Sequence, residues 1–238
     1  MAKKNEIGIG LLGLGVVGSK IAGHLLQCLE TLSLNLDGPM VLRRVLVRNM
    51  QIPRSISLPE GILTDDFSVV LNDPDIHIVV EVMGGEIPAA DYLNQLLKNG
   101  KSVVTANKEV MAKHGPLLLA AAAHSGAELR FEASVGGGVP IVGPLQNDLL
   151  ANEIMSIRAI INGTTNFILT KMAKEKMEFT SALAQAQSLG YAEPDPTDDV
   201  EGIDAAYKIA ILASLAFHTE VSPEHVYTEG ITALQAED

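Results

Sequence analysis

Apolar and polar positions change rhythm several times along the 238-residue chain. Near the start, "EIGIGLL" is a short apolar run. "GLGVVGSKIAGHLLQCLE" then repeats apolar residues at three- and four-residue intervals, which predicts a strand, a glycine turn and a helix. "MVLRRVLVR", "HIVVEVMG" and "SVVTAN" read as further strands, with a helix at "PAADYLNQLLKNG" before the last of them. "LLLAAAAHSGA" is built from strong helix formers and should end near Gly126. "AELRFEASV" predicts one more strand, leading into "GGGVP", where Gly136, Gly137 and Gly138 interrupt regular structure. Alternating strands and helices imply a parallel sheet with right-handed crossovers.

From about residue 141 the alternation changes. "EIMSIRAIINGTTNFILTKM" reads as a strand running into a helix through Asn162, Gly163, Thr164 and Thr165. A helix at "FTSALAQAQSLG", an acidic segment and a long apolar-rich helix, "VEGIDAAYKIAILASLAFH", follow. The expected architecture is α/β: a doubly wound parallel sheet over residues 1–140, then an α+β domain over residues 141–238.

Composition narrows the functional classes. Apolar residues make up 47% of the chain, as in packed globular proteins. Gly, Pro or charge interrupts every apolar run before the roughly 18 residues of a membrane span. "MAKKNEIGIG" lacks the apolar core and cleavage site of a secretory signal. Cys28 is the single cysteine, so no internal disulfide and no cysteine metal cluster is expected, and a reducing cytoplasmic location fits. A formal charge of −12 argues against nucleic acid, because phosphate binding needs surplus Lys and Arg. His24, His77, His114, His124, His218 and His225 form no close pair at ligand spacing and read as surface or core residues.

Gly13, Gly15 and Gly18 make G-x-G-x-x-G between the first strand and the first helix. In that setting the first glycine permits the tight turn and the second lets a pyrophosphate approach the backbone. The third allows helix to pack on strand, and the helix N-terminus faces the anion. The second strand ends at Arg48 and Asn49, with no acid for a ribose 2′-hydroxyl. An arginine suits a 2′-phosphate, so NADP(H) is favoured, with NAD(H) as the alternative. A plain surface arginine after a strand would look the same.

The acidic segment "EPDPTDDVEGIDAAYK" sets Glu193, Asp195, Asp198, Asp199, Glu201 and Asp204 ahead of Lys208. Three readings compete: a solvated helix entrance, a divalent-metal site, and a catalytic patch. Acids at a helix N-terminus complement its dipole, which suffices for Asp198 and Glu201. The spacing fits no calcium loop. Asp204 and Lys208, at i and i+4, share a helix face. Exposed, such a pair is ordinary decoration. Here its neighbours Ile203, Ala205, Ala206, Ile209 and Ala210 are apolar, and polar groups there need a reason.

Five stretches together resemble one family: "GLLGLGVVGSK", "VVTANKEVMAKHG", "FEASVGGGVPIV", "INGTTNFILTKM" and "LGYAEPDPTDDVEGIDAAYKIAILA". They look like homoserine dehydrogenase, in the family's order and over essentially the whole chain. The resemblance implies a Rossmann-type first domain followed by a substrate and dimerisation domain. It implies the NAD(P)H-linked interconversion of L-aspartate 4-semialdehyde and L-homoserine, on the route to threonine, methionine and isoleucine, and Arg48 makes NADP(H) the expected cofactor. By the same resemblance Glu193 and Asp204 bind the substrate; Asp199, from the acidic segment itself, is the expected orienting residue. Lys208 is the proton donor. Lys108 lies beside cofactor and substrate. Gly13, Gly15, Val16, Val17, Gly18, Arg48 and Thr105 contact the cofactor, with Gly190 against its nicotinamide end. It further implies a sodium site from Glu132 and the main-chain oxygens of Val135, Gly137 and Val139. From the residues alone, that glycine-rich stretch could equally be a hinge. A homodimer is the expected full-length assembly. The family pattern continues past "VYTEGITALQAED", so the chain reads as a C-terminally truncated form. The competing readings are another Rossmann-type oxidoreductase acting on a different aldehyde, and a nucleotide-binding fragment without catalysis.

Overall fold

A computed structural model describes residues 6–27 and 38–236. Cys28 and most of the connection from first helix to second strand lie outside the described residues. The fold divides into two compact units. One runs to Val110 and includes His114–Ser134; the other takes Met111–Lys113 and Val135 onward. The expected boundary near residue 140 thus falls a few residues after this division.

In the first unit β1 (Ile7–Leu12) leads through the glycine turn into α1 (Val16–Gln27). β2 (Met40–Leu46), β3 (Leu63–Thr64), α2 (Phe67–Leu71), β4 (Ile78–Glu81), α3 (Ala89–Lys98), β5 (Ser102–Thr105), α4 (Lys108–Ser125) and β6 (Leu129–Arg130) follow. The six strands are parallel, in the order β3-β2-β1-β4-β5-β6. The chain winds outward from β1 to β3, then crosses to β4 on the other side of β1. That reversal opens a crevice at the carboxyl ends of the strands, where doubly wound sheets take ligands. β1 reads as a continuous apolar run because its side chains meet packed neighbours on both faces of the sheet. α3 buries Ala89, Ala90, Leu93, Leu96 and Leu97, at the three- and four-residue spacing of a single helix face. Asn107 caps α4 by accepting from Val110 N–H at 3.1 Å, and Gly126 ends it at φ 75°, a left-handed conformation that glycine takes without strain.

β3 and α2 go beyond the expected elements. α2 starts where Asp66 accepts from Ser68 N–H at 2.8 Å, a capping signal hidden in the polar run "TDDFS". The strand expected over "AELRFEASV" shrinks to two residues, because Glu132–Ser134 turn into a 3-10 helix.

The second unit is helical among the described residues. It contains α5 (Gly163–Glu175), α6 (Phe179–Ser188), α7 (Thr197–Val200) and α8 (Ile203–Ala216). Ile168, Met172, Ala182, Ala186, Ala192 and Val200 form its small core. Two expectations are corrected here. Residues 153–161 form no strand, since no described neighbour supplies a ladder partner, and Met155 and Ile160 stay exposed. The long helix expected from Val200 is two helices. Gly202 at φ 82° breaks the helical path between α7 and α8, and Glu201 therefore ends α7 instead of leading a helix.

Candidate active site

The crevice of the first unit holds a cavity of about 550 Å³, walled by the turns that follow β1, β2 and β4. Gly13, Leu14 and Gly15 line one side, Arg48, Asn49 and Arg54 another, and Val82 and Met83 a third. The three glycines of the motif do different work. Gly13 sits at φ 98°, and a Cβ on it would come within 2.8 Å of the Val82 carbonyl. A Cβ on Gly18 would come within 2.2 Å of the Gly13 carbonyl, so only glycine lets α1 start this close to the turn. A Cβ on Gly15 would meet nothing within 4 Å. The backbone at Gly15 is therefore bare towards open space, as an approaching pyrophosphate requires. Val16 and Val17, at the N-terminus of α1, leave apolar side chains exposed, Val16 at 83%. A ligand lying on this turn would cover them.

Arg48 is exposed on the cavity wall. Arg54, passed over in the sequence because it lies in a loop, is a second cation there. Its guanidinium donates to Asn49 O at 2.7 Å and to Leu14 O at 3.4 Å, tying the turn after β2 to the glycine turn. Asp65 also reaches this cavity. No pattern in the sequence marks either residue.

Thr105 turns its side chain into the fold. It is fully buried, donating from Oγ1 to Glu81 Oε2 at 2.6 Å and accepting from Asn107 N–H at 3.0 Å. Its side chain cannot face a cofactor, so any contact from this position comes through the main chain. Lys108, half-buried, opens α4 immediately after the Asn107 cap.

In the second unit the structure assembles four residues from three parts of the chain. Lys208 Nζ donates to Asp204 Oδ2 at 2.7 Å and to Ile161 O at 3.1 Å. Asn162 Nδ2 donates to Asp204 Oδ2 at 2.9 Å and to Asp199 Oδ1 at 2.7 Å. Its Oδ1 accepts from Thr165 N–H at 2.8 Å, which makes Asn162 the cap of α5. Asp204 is 2% exposed and the Lys208 side chain 16%. An ammonium has three N–H donors. Two are used here, and the third is left for an oxygen arriving from solvent. The local sequence explains the placement: one helical turn separates Asp204 from Lys208, and Gly202 starts α8 with Asp204 in its first turn.

Two expected site residues stand apart from this cluster. The side chain of Glu193 is exposed, and its carbonyl accepts from Gln187 Nε2 at 3.1 Å. Gly190 follows α6 at φ 78°, its N–H donating to Gln187 O at 3.1 Å. Thr164 Oγ1 donates to Tyr191 O at 2.8 Å and so holds this loop to the start of α5. Asp195 accepts from Thr197 N–H and Oγ1, and those hydrogen bonds hold its carboxyl below the usual carboxylate range. The sequence marked Asn162 as a turn residue; its bridging of two carboxylates was not visible there.

The residues proposed for a cation divide between the units, Glu132 in the first and Val135, Gly137 and Val139 in the second. Val139 N–H donates to Gly136 O at 3.1 Å. That carbonyl is engaged within the turn. Among the described residues no three of His, Cys, Asp and Glu cluster as a metal site.

Two family models match the chain. Residues 13–132 match the family model described as homoserine dehydrogenase, NAD binding domain, and residues 140–238 match the homoserine dehydrogenase model. The chain belongs to the homoserine dehydrogenase family. It is 45% identical over 232 residues to homoserine dehydrogenase of Bacillus subtilis, covering 98% of this chain and 54% of that protein. With the Synechocystis homoserine dehydrogenase it shares 48% identity over 230 residues, 97% of this chain and 53% of the relative. A homoserine dehydrogenase structure from Thiobacillus denitrificans superposes with TM-score 0.90 at 44% identity, covering 98% of this chain and 54% of that one. A hyperthermophilic archaeal homoserine dehydrogenase in complex with NADPH superposes with TM-score 0.82 at 28% identity, over 97% of this chain and 76% of that one. The chain thus spans about half the length of the homoserine dehydrogenases of Bacillus and Synechocystis. The glycine turn falls in the family's nucleotide-binding part, and the Asn162–Asp199–Asp204–Lys208 cluster in the other.

Proposed function

We propose that this chain carries the cofactor- and substrate-binding parts of a homoserine dehydrogenase that interconverts L-aspartate 4-semialdehyde and L-homoserine. The observation that carries the reading is the Lys208 ammonium held by buried Asp204 with one donor to spare. In the reducing direction the aldehyde oxygen becomes an alkoxide and needs a proton. Lys208 supplies it and stabilises the developing negative charge. Asp204 and Ile161 O fix the direction of Nζ. Asp199 and Asp204, joined by Asn162, with Glu193 on the adjoining loop, offer counter-charge to the substrate ammonium.

Gly13, Gly15, Val16, Val17 and Gly18 would seat the cofactor pyrophosphate, and bare Gly15 fits that role. Arg48 would hold a 2′-phosphate, which makes NADP(H) the preferred cofactor and NAD(H) the weaker one. Lys108, the Thr105 main chain and Gly190 would complete the nicotinamide end. Bound NADP(H) supplies or accepts the hydride. Glu132 with the carbonyls of Val135, Gly137 and Val139 would hold a sodium ion. We further propose a homodimer in the full-length form, supported by exposed Met155 and Ile160 on the unpaired segment 153–161. A cytoplasmic setting on the route to threonine, methionine and isoleucine fits a chain with one cysteine. No described helix is long and apolar enough to cross a membrane.

The test is oxidation of L-homoserine with NADP+, followed by absorbance of the reduced cofactor, in this chain and in a form extended to the length of its relatives. Formation of reduced cofactor that depends on homoserine supports the reading. Its absence from the extended form overturns it.

A further inference from the structure

Glu81 ends β4 in the centre of the sheet, with Leu12 of β1 and Thr105 of β5 as its register partners. It is 0% exposed, and carboxylates are rarely buried so completely without a cation. Among the described residues Glu81 has no ion pair. Its two oxygens are divided between two neighbouring turns. Oε1 accepts from Met83 N–H at 2.7 Å, and Oε2 accepts from Thr105 Oγ1 at 2.6 Å. From Thr105 the chain of contacts continues: Oγ1 accepts from Asn107 N–H at 3.0 Å, and Asn107 Nδ2 donates to Gly85 O at 2.7 Å. The turn after β4, which presents Met83 to the cavity, is thereby closed onto the turn that starts α4.

A buried carboxylate is costly where a packed apolar side chain would satisfy the sheet. Two acceptor oxygens aimed at two separate turns are what an apolar residue could not provide. We propose that Glu81 is a positioning residue of the nucleotide site, setting the Met83 wall of the cavity against the Thr105–Asn107 turn through one shared carboxylate. The proposal rests on the nucleotide reading given above. It adds a residue that touches no cofactor and acts through the main chain of Met83 and the hydroxyl of Thr105.

Leucine in place of Glu81 suits the apolar surroundings but offers no acceptor, so both turns are released. The experiment measures NADPH affinity by the fluorescence of the reduced nicotinamide, alongside thermal melting. The proteins are the parent, Glu81→Leu, Thr105→Val and the double variant. Leu118→Ala, a fully buried core position in α4, serves as a control for lost stability alone. The expected result is about tenfold weaker binding in Glu81→Leu and in Thr105→Val. The double variant should be no weaker than the weaker single, and Leu118→Ala should bind NADPH as the parent does. If Glu81→Leu does not fold, Thr105→Val breaks the same hydrogen bond from the other side. Parental affinity in Glu81→Leu, or in Thr105→Val where only that variant folds, overturns the proposal, as does an equal loss in Leu118→Ala. A parent that does not bind NADPH overturns the nucleotide reading itself, and this proposal with it.

Discussion

Asn162 and Asp204 are 42 positions apart in the chain, yet the amide of one donates to the carboxylate of the other at 2.9 Å. The same amide also donates to Asp199 at 2.7 Å, so one neutral group holds two carboxylates side by side. Both of its hydrogens are used, and its oxygen caps α5. Without this bridge the two carboxylates would repel each other across the space Asn162 now fills.

Replacement of Asn162 by Ala should lose both the cap and the bridge. The cap alone is worth about 1 kcal/mol. Asn162→Ser restores a capping oxygen but cannot span both carboxylates. We expect Asn162→Ala to melt earlier and turn over at least tenfold more slowly, and Asn162→Ser to regain stability with only part of the turnover. Melting curves and homoserine oxidation rates on the two variants check this. Full recovery of turnover in Asn162→Ser would confine Asn162 to capping.

The glycine motif makes a separable pair of predictions. Gly15→Val adds a side chain where no atom lies within 4 Å, so the fold should persist. The added branch would occupy the path of the pyrophosphate, and nucleotide affinity should fall by more than tenfold. Gly18→Ala puts a Cβ against the Gly13 carbonyl and should destabilise the first unit itself. Nucleotide titration and thermal melting should therefore rank the two variants in opposite orders.

The sheet was legible because β1, β2, β4 and β5 are apolar runs bounded by glycine or polar turns, and periodicity reports such strands well. Residues 153–161 carry the same composition but lack a described partner, and a strand exists only through its ladder. The break at Gly202 was missed because apolar periodicity continues across it, while a single left-handed glycine redirects the chain. Asp204 and Lys208 could be paired from their i,i+4 spacing. Asn162, Arg54 and Glu81 could not be placed, since each acts through contacts between distant segments. Thr105 lay on the right strand end, but period-two alternation does not say which strand-end residue points inward.

The proposed preference for NADP(H) rests on Arg48. An arginine at the end of β2 favours a ribose 2′-phosphate, and an acid there favours the free hydroxyl. Arg48→Asp should lower NADPH affinity by at least tenfold and leave NADH affinity equal or improved. Arg54→Met should weaken both nucleotides, because Arg54 ties Leu14 O to Asn49 O and shapes the wall itself. Titration of both nucleotides against the three proteins separates a charge effect from a shape effect. Equal binding of NADH and NADPH by the parent would remove Arg48 from the specificity reading.

Lys101 provides a pH test of the scaffold. Its Nζ donates to Asp73 O at 2.6 Å and Ile76 O at 2.7 Å, and burial pushes its pKa below the ordinary lysine value, against the opposing pull of Asp73. The unfolded chain therefore holds this proton more tightly than the folded one. Between the lowered folded value and about 10.5, stability of the parent should rise with pH relative to Lys101→Met. Denaturant unfolding at several alkaline pH values, compared between the two proteins, reads the difference. A difference that falls with pH would contradict the lowered value.

Lys208 makes the sharpest demand on the functional reading. Its third N–H matters only when an oxygen gains negative charge, so its loss should fall on the chemical step rather than on nucleotide binding. In Lys208→Ala, on a form that turns over homoserine, kcat should drop on the order of 10²–10⁴-fold, the range for a positioned proton donor. NADPH affinity should stay near that of the parent, because Lys208 belongs to the second unit and the glycine turn to the first. Asp204→Asn keeps the shape and the acceptor oxygen but loses the charge that fixes Nζ, and should slow turnover by a smaller factor. Lys208→Arg keeps a cation but replaces a compact ammonium with a planar fork that cannot keep both Asp204 and Ile161 O in the same geometry. It should therefore rescue little. Near-parental turnover in Lys208→Ala would reduce the buried pair to a structural salt bridge and return the acidic segment to a solvated helix entrance.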